Sequence, residues 1–357
     1  MSKVVLYAPN INKGGGIVLL KSIINEWPSN IHFFAHLDFR IKKKLKIPEN
    51  STINWVKPSL IDRLKAEYML SNDYDSGDTI LFKNSLPPIF RCKARVVVFM
   101  QNRNLIENIR LLDFKPKVAI RLFLERFQSF IFRHKVDLYI VQSNSFKRKI
   151  INWYSTRFII KKPIIKVLPF MNRAFHEMHT NNYQNTMKKK WDFIYVADGL
   201  AHKNHNILLD AWEELAEQNH FPSLLLTLDN CEIELIQRIE DLTKKGAVII
   251  NKGEMPHEDI INLYKQCCAL IHPSLRESFG LPLLEAASLQ IPILASELDY
   301  VYDVCNPTIT FNPKSYLSVS RAVKRFLNIE NTITKVSTTS EFLDYIFRSN
   351  VNEKDEE

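Results

Sequence analysis

Between Cys267 and Ser296 the chain passes from one short apolar run, Cys267-Cys-Ala-Leu-Ile-His272, through a loop and a helical stretch to a second, Ile291-Pro-Ile-Leu-Ala-Ser296. Strand, loop, helix and strand in that order make a β-loop-α-β unit. No other feature limits the fold as much. Such units gather loops and helix N-termini at the carboxyl edge of a parallel sheet, where ligands bind in open α/β folds.

The loop, Glu277-Ser-Phe-Gly-Leu-Pro-Leu-Leu-Glu285, carries two carboxylates around a Gly-Leu-Pro turn. Pro282 has a fixed φ and no N–H, which suits the first helical position. The free amides near Gly280 and Leu281 then point out of the helix start, where about half a positive charge favours phosphate. Gly280 lets the backbone come close to a ligand. Glu285 sits about one turn into the helix, and Glu277 lies in the loop before it. An electropositive spot of phosphate size between two hydroxyl-reading carboxylates has the polarity of a nucleotide sugar. The spacing alone is more often that of a helix-dipole partner and a solvated helix residue.

The same alternation runs through the chain. Strand-like runs in the first half are Val4–Ala8, Ile31–Ala35, Thr79–Lys83, Arg95–Met100 and Asp137–Gln142, with helical stretches at Ile17–Trp27 and Pro116–His134. The second half shows strands at Phe193–Ala197, Ser223–Leu228 and Val248–Ile250, and helices over 204–218, 232–243 and 257–266. Two consecutive α/β sandwiches with parallel sheets follow from this pattern, and ligands belong in the cleft between them. The polar stretch His176–Lys190 reads as a linker. Thr339–Arg348 reads as a capped amphipathic helix, and the acidic end as a disordered tail.

With 357 residues, 46% of them hydrophobic, the chain suffices for two domains with real cores. No apolar run approaches the ~20 residues of a membrane span, and the opening residues read as a first strand, not a signal peptide. Five cysteines without Cys-x-x-Cys spacing fit reduced, mostly buried thiols in a cytoplasmic protein. Charge divides unevenly. Residues 1–180 hold 31 Lys+Arg against 13 Asp+Glu, and residues 181–357 hold 17 against 26. A basic half implies an anionic partner: a phospholipid surface, a pyrophosphate-linked acceptor or nucleic acid. No recognition motif points to nucleic acid. Pro116–Lys135 mixes Lys117, Arg121, Arg126, Arg133 and Lys135 with aromatic and aliphatic residues at helical spacing. It reads either as a core-facing helix or as a membrane-surface helix.

The longer string Pro273-Ser-Leu-Arg-Glu-Ser-Phe-Gly-Leu-Pro-Leu-Leu-Glu-Ala-Ala287 resembles the glutamate-seven-glutamate signature of retaining GT-B glycosyltransferases of group 1, family 4-like, of the bacterial surface-polysaccharide type. The resemblance covers most of residues 3–330 and is strongest over 191–313. It implies an α/β GT-B fold, two Rossmann-like domains with parallel sheets facing an interdomain cleft. The corresponding segments are a basic acceptor domain over 1–175, a linker over 176–190, a nucleotide-sugar donor domain over 191–330, and a crossover helix and tail over 331–357.

The resemblance also assigns roles. Glu285 binds the nucleotide ribose, and Glu277 contacts the donor sugar ring beside the amides of Phe279, Gly280 and Leu281. Lys203, in Phe193-Ile-Tyr-Val-Ala-Asp-Gly-Leu-Ala-His-Lys-Asn-His205, matches the lysine that grips the donor diphosphate. The arginine position of that motif is Gly199. Gly15 and Gly16, in Asn12-Lys-Gly-Gly-Gly-Ile17, resemble a first-domain glycine loop that lines the cleft. Gly253, in Lys252-Gly-Glu-Met-Pro256, resembles the loop that reads the base. Asn102 and Arg103, in Gln101-Asn-Arg-Asn104, stand where relatives touch the donor sugar, commonly through a histidine. Glu277 and Lys203 are thus the expected catalytic pair, and the others bind donor.

No cofactor or metal is expected, since no Asp-x-Asp segment stands out and His202 and His205 have no third ligand nearby in sequence. The implied activity is transfer of a sugar from a nucleoside-diphosphate sugar to a saccharide acceptor, polyprenyl-diphosphate-linked, with retention. That places the chain in capsule, O-antigen or other lipopolysaccharide synthesis, peripheral at the inner face of the cytoplasmic membrane. The alternatives are a nucleotide-sugar epimerase and a catalytically silent GT-B subunit.

Overall fold

The computed structural model describes residues 2–107, 111, 114, 116–155, 164–170 and 189–329. It holds two parallel sheets. The first is built from β1 (Val4–Ala8), β2 (Phe33–Asp38), β3 (Ser51–Val56), β4 (Thr79–Phe82), β5 (Arg95–Phe99), β6 (Leu138–Val141) and β7 (Ile164–Val167), in the order β3-β2-β1-β4-β5-β6-β7. The second comprises β8 (Trp191–Tyr195), β9 (Leu224–Leu226), β10 (Ile249–Asn251), β11 (Cys267–His272), β12 (Ile293–Ser296) and β13 (Ile309–Phe311), in the order β10-β9-β8-β11-β12-β13. Val5 lies opposite both Phe34 and Ile80, and Leu270 opposite both Ile194 and Ile293.

Helices cover the strands: α1 (Gly14–Asn25), α2 (Leu60–Asp73), α3 (Pro116–Phe132) and α4 (Asn144–Ser155) in the first half. The second half has α5 (His205–Glu217), α6 (Ile233–Lys244), α7 (His257–Gln266), α8 (Leu281–Ser288), α9 (Asp299–Tyr302) and α10 (Tyr316–Phe326). The strands are apolar in continuous runs because parallel sheets are buried on both faces. Alternate residues go to opposite layers. Phe193, Tyr195, Leu224 and Leu226 pack with Leu208 and Trp212 of α5 and Val319 and Val323 of α10. Ile194, Leu225 and Leu270 pack on the other side with Tyr264 of α7 and Leu283 and Ala286 of α8.

The structure adds elements that the sequence pattern did not reveal: β3, α2, α4, β7, α9, β13 and α10. β3 is a half-exposed edge strand, so its apolar signal is weak. The linker over 176–190, apart from residues 189 and 190, and the C-terminal helix over 339–348 lie outside the described residues. The cysteines differ from expectation. Cys267 alone is buried, Cys92, Cys268 and Cys305 are half-buried, and Cys231 is exposed. Among the described residues no helix is long and apolar enough to cross a membrane.

Lys83, directly after β4, is buried. Its ammonium donates to Gln101 Oε1 and lies 4.6 Å from the centre of the Phe99 ring. Burial pulls its pKa down from 10.5 to about 7. The unfolded chain holds that proton more tightly, so this group makes stability rise with pH between the folded and unfolded values. Thermal melts across that window should show a shallower rise for Lys83→Met than for the wild type.

Candidate active site

In each sheet the chain reverses its direction of growth once: between β1 and β4 in the first and between β8 and β11 in the second. The loops after the two central strands diverge there and leave a crevice at the carboxyl edge, the switch point where open α/β sheets bind ligands. In the second sheet those loops are 196–204 and 273–280, which carry Lys203 and Glu277.

The two loops are tied to each other. Leu275 N donates to His202 O at 2.8 Å. Tyr195 OH, at the end of β8, donates to Lys203 O at 2.7 Å and meets Ser274 Oγ at 2.9 Å. Asn204 adopts left-handed backbone, φ 62°, and its amide donates to Pro273 O and Pro313 O at 3.1 and 2.7 Å. Asparagine tolerates that conformation better than most side chains. Lys203 Nζ and Glu277 Oε1 consequently meet at 2.7 Å, with side chains 17% and 10% exposed. His272 Nε2, fully buried, stands 3.6 Å from the same oxygen.

Burial by itself would raise the Glu277 carboxyl. The Lys203 charge and the His272 ring outweigh it and hold the group well below the usual carboxylate range. Burial would lower the Lys203 ammonium, but Glu277 and Asp198 raise it instead. Glu277 is therefore an anion and Lys203 a cation at neutral pH.

Gly280 caps α8 with φ +81°. Leu281 takes the first helical position and Pro282 the second, one residue later than expected. The amides of Gly280 and Leu281 still precede the first intrahelical donor, Leu283 N. Phe279 is buried. Glu285, one turn in, is 7% exposed, and its Oε1 lies 2.7 Å from His257 Nε2 at the start of α7. His257 was not singled out from sequence, because its link to Glu285 is tertiary. Gly253, in the loop after β10, has φ +76° and open space where a Cβ would stand.

The first half meets this site at two points. Gly14–Gly16 form the first turn of α1, not a loop, so what they offer is a helix start. A Cβ at Gly15 would come within 2.9 Å of Leu281 Cδ1, so α1 and α8 approach closely there and a side chain would have to displace the end of Leu281; at Gly16 it would lie 3.3 Å from Ile11. The second point is the turn over 101–104. The Asn102 side chain accepts from Asn104 N at 3.1 Å and caps its own turn. Arg103, 8% exposed, reaches across. Its Nη1 donates to Glu277 O at 2.6 Å, while its Nε donates to Glu107 Oε1 at 2.7 Å. Lys149 joins Glu107 at 2.7 Å. Further away, Ser145 N at the start of α4 donates to Asp303 Oδ2 at 3.1 Å.

Gly199 stands where the related motif carries arginine, and a Cβ there would overlap the Glu232 carboxylate. Gly199→Arg should therefore displace only the flexible end of the Glu232 side chain and leave stability close to that of the wild type, which thermal melts check. Another cation lies nearby. Arg276 acts electrostatically on both Arg126 and His202, and its buried Nε has no hydrogen-bond partner. His205 is turned into the core, its Nε2 at 2.9 Å from Asp198 O. Among the described residues no group of three His, Cys, Asp or Glu is placed to hold a metal.

Comparison with known proteins adds the family. Residues 180–340 match the family described as glycosyl transferases group 1. O-antigen chain mannosyltransferase RfbU of Salmonella typhimurium is 23% identical over 163 residues, 45% of this chain and 45% of that protein. O-antigen chain mannosyltransferase B of Escherichia coli is 27% identical over 113 residues, 31% of this chain and 30% of that protein. The matches thus span less than half the length of these curated relatives. Sucrose-phosphate synthase from Thermosynechococcus elongatus superposes with a TM-score of 0.65 at 14% identity, over 92% of this chain and 90% of that one. Anabaena HepE in complex with UDP and glucose does so with a TM-score of 0.63 at 15% identity, again over 92% and 90%. Likeness at such identity speaks for the fold, which is GT-B. Within that fold, residues 180–340 are similar to the group 1 glycosyl transferases.

Proposed function

We propose that the protein is a glycosyltransferase that moves a hexose from a nucleoside-diphosphate sugar to a saccharide acceptor, with retention of configuration. The observation that carries this reading is the Lys203–Glu277 ion pair at the second switch point, beside the α8 start and one turn from Glu285. The diphosphate lies against the α8 amides and Lys203, Glu277 takes sugar hydroxyls, and Glu285, oriented by His257, takes the ribose. Gly253 lies in the loop that reads the base, and Arg276 supplies the cation that Gly199 leaves out.

In the reaction the C1–O bond to the diphosphate breaks as the acceptor hydroxyl oxygen bonds to C1 on the same face. The acceptor proton goes to the departing phosphate oxygen. Lys203 and the helix start stabilise the charge that builds on the diphosphate. No protein base and no metal ion enters the scheme.

The names of the relatives, O-antigen mannosyltransferases, support mannose as the sugar and surface polysaccharide as the product. The basic first half supports a lipid-diphosphate-linked acceptor. Gly199 favours one other reading, a donor-binding subunit without turnover.

The test is a panel of UDP- and GDP-sugars, incubated with the protein with and without membrane lipid extract. The proposal expects lipid-dependent release of the nucleoside diphosphate from one donor. Donor binding without release would favour the silent subunit. Interconversion of sugars without acceptor would favour an epimerase.

A further inference from the structure

Helix α3 is patterned inside out. Ile120, Phe123, Leu124, Phe127, Phe130 and Ile131 follow the spacing of a single helical stripe, and each is between 40% and 63% exposed. The opposite side, which faces the body of the protein, is largely polar. Arg126 donates to Asn104 O and Glu107 O at 2.7 and 3.0 Å, Gln128 to Pro87 O at 3.0 Å, and Arg133 to Trp153 O at 2.9 Å. Only Leu122 and Ser129 of the helix are buried. A helix of a globular protein normally turns its apolar stripe to the core. This one is fastened by polar side chains to backbone carbonyls and leaves six large apolar side chains outward. The sequence reading of a core-facing stripe is thereby overturned.

We propose that the outer face of α3 docks on an anionic phospholipid bilayer, the helix lying in the plane of the headgroups. Its 17 residues are too few to span the hydrocarbon and suit an interfacial helix, whose apolar stripe enters the headgroup boundary while cations stay at its rim. Lys117 and Arg121 are exposed and lie by helical spacing along one edge of the stripe. The half of the chain that carries them holds 31 basic against 13 acidic residues, which an anionic surface attracts. A second copy fits less well, since a two-fold contact would bring two strongly basic halves together. The inner face of α3 holds the carbonyls of Asn104 and Glu107, which follow closely on Arg103, the residue that reaches Glu277 O. The bilayer surface and the candidate site are thus separated by little more than one helix.

The test is sedimentation of the full chain with vesicles, and it does not depend on the transferase reading. At low salt the protein should pellet with vesicles of equal parts phosphatidylcholine and phosphatidylglycerol, leave them as salt is raised, and ignore phosphatidylcholine alone. Phe123→Ser with Phe127→Ser should lower the partition coefficient about a hundredfold. Lys117→Gln with Arg121→Gln should lower it about thirtyfold. Circular dichroism and thermal melts of each variant confirm that it is folded. Wild-type protein left in the supernatant at low salt overturns the proposal, as do folded variants that bind like wild type. A concentration-dependent dimer without vesicle binding, dissociated by Phe127→Ser in ultracentrifugation, overturns it in favour of a contact between copies.

Discussion

Glu277→Gln is expected to lower kcat by about 10²–10³-fold, the usual cost of removing one charge-stabilising group from a preorganised site. The substitution keeps the size of the side chain and its place beside Lys203 Nζ, 2.7 Å away in the native protein. It removes the negative charge that Lys203 and His272 hold in place against burial. Under the proposed mechanism Glu277 fixes the sugar ring and orients the Lys203 ammonium, so the loss falls on the chemical step more than on donor affinity. Measuring kcat and KM for the same donor separates the two. A variant with unchanged kcat and a raised KM would make Glu277 a simple binding residue.

Lys203→Ala should cost both stability and activity. Removing one partner of a buried ion pair leaves an uncompensated charge, at about 3–5 kcal/mol. The figure applies here because both side chains are mostly buried, at 17% and 10% exposure. The pH dependence has a definite sign. In the native protein the folded-state Glu277 pKa lies below its ordinary value. The pair's contribution is therefore present above the unfolded pKa and is lost only as pH falls through the folded one. Without Lys203, burial dominates and raises the carboxyl, so Lys203→Ala should regain stability relative to wild type as pH falls from neutrality towards 5. Lys203→Ala with Glu277→Ala should recover much of the stability and none of the turnover. Thermal melts over that pH range, together with turnover of the three variants, test the whole set. A double variant as unstable as Lys203→Ala would show that the lysine acts through something other than this pair.

These residues also show what a sequence can reveal of such a protein. The β11–α8–β12 unit was readable because each strand is a continuous apolar run and Gly280 and Pro282 mark the turn between loop and helix. Phe193–Tyr195 and the loop to Lys203 were readable for the same reason. The start of α1 was not, since three glycines argue against helix, yet Gly14–Gly16 form its first turn with Ile17–Ile24 carrying the packing. The contacts of Arg103 with Glu277 and of His257 with Glu285 could not be read. The partners lie 174 and 28 residues apart, and local spacing carries no trace of such contacts. Helix α3 is the instructive intermediate. Its periodicity gave the helix and the stripe, but periodicity does not say which side faces water. That was decided by Arg126, Gln128 and Arg133, whose carbonyl acceptors exist only once the surrounding loops are folded.

The most direct test of the central claim follows the sugar itself. A nucleotide sugar carrying radiolabel in its hexose, chosen from the donor that the panel identifies, is incubated with the protein and membrane lipid extract, and the organic-soluble fraction is counted. The account predicts label in that fraction with wild type and almost none with Glu277→Gln. Label that stays wholly in the aqueous phase, as unchanged donor or as a stereoisomer of it, would contradict the account.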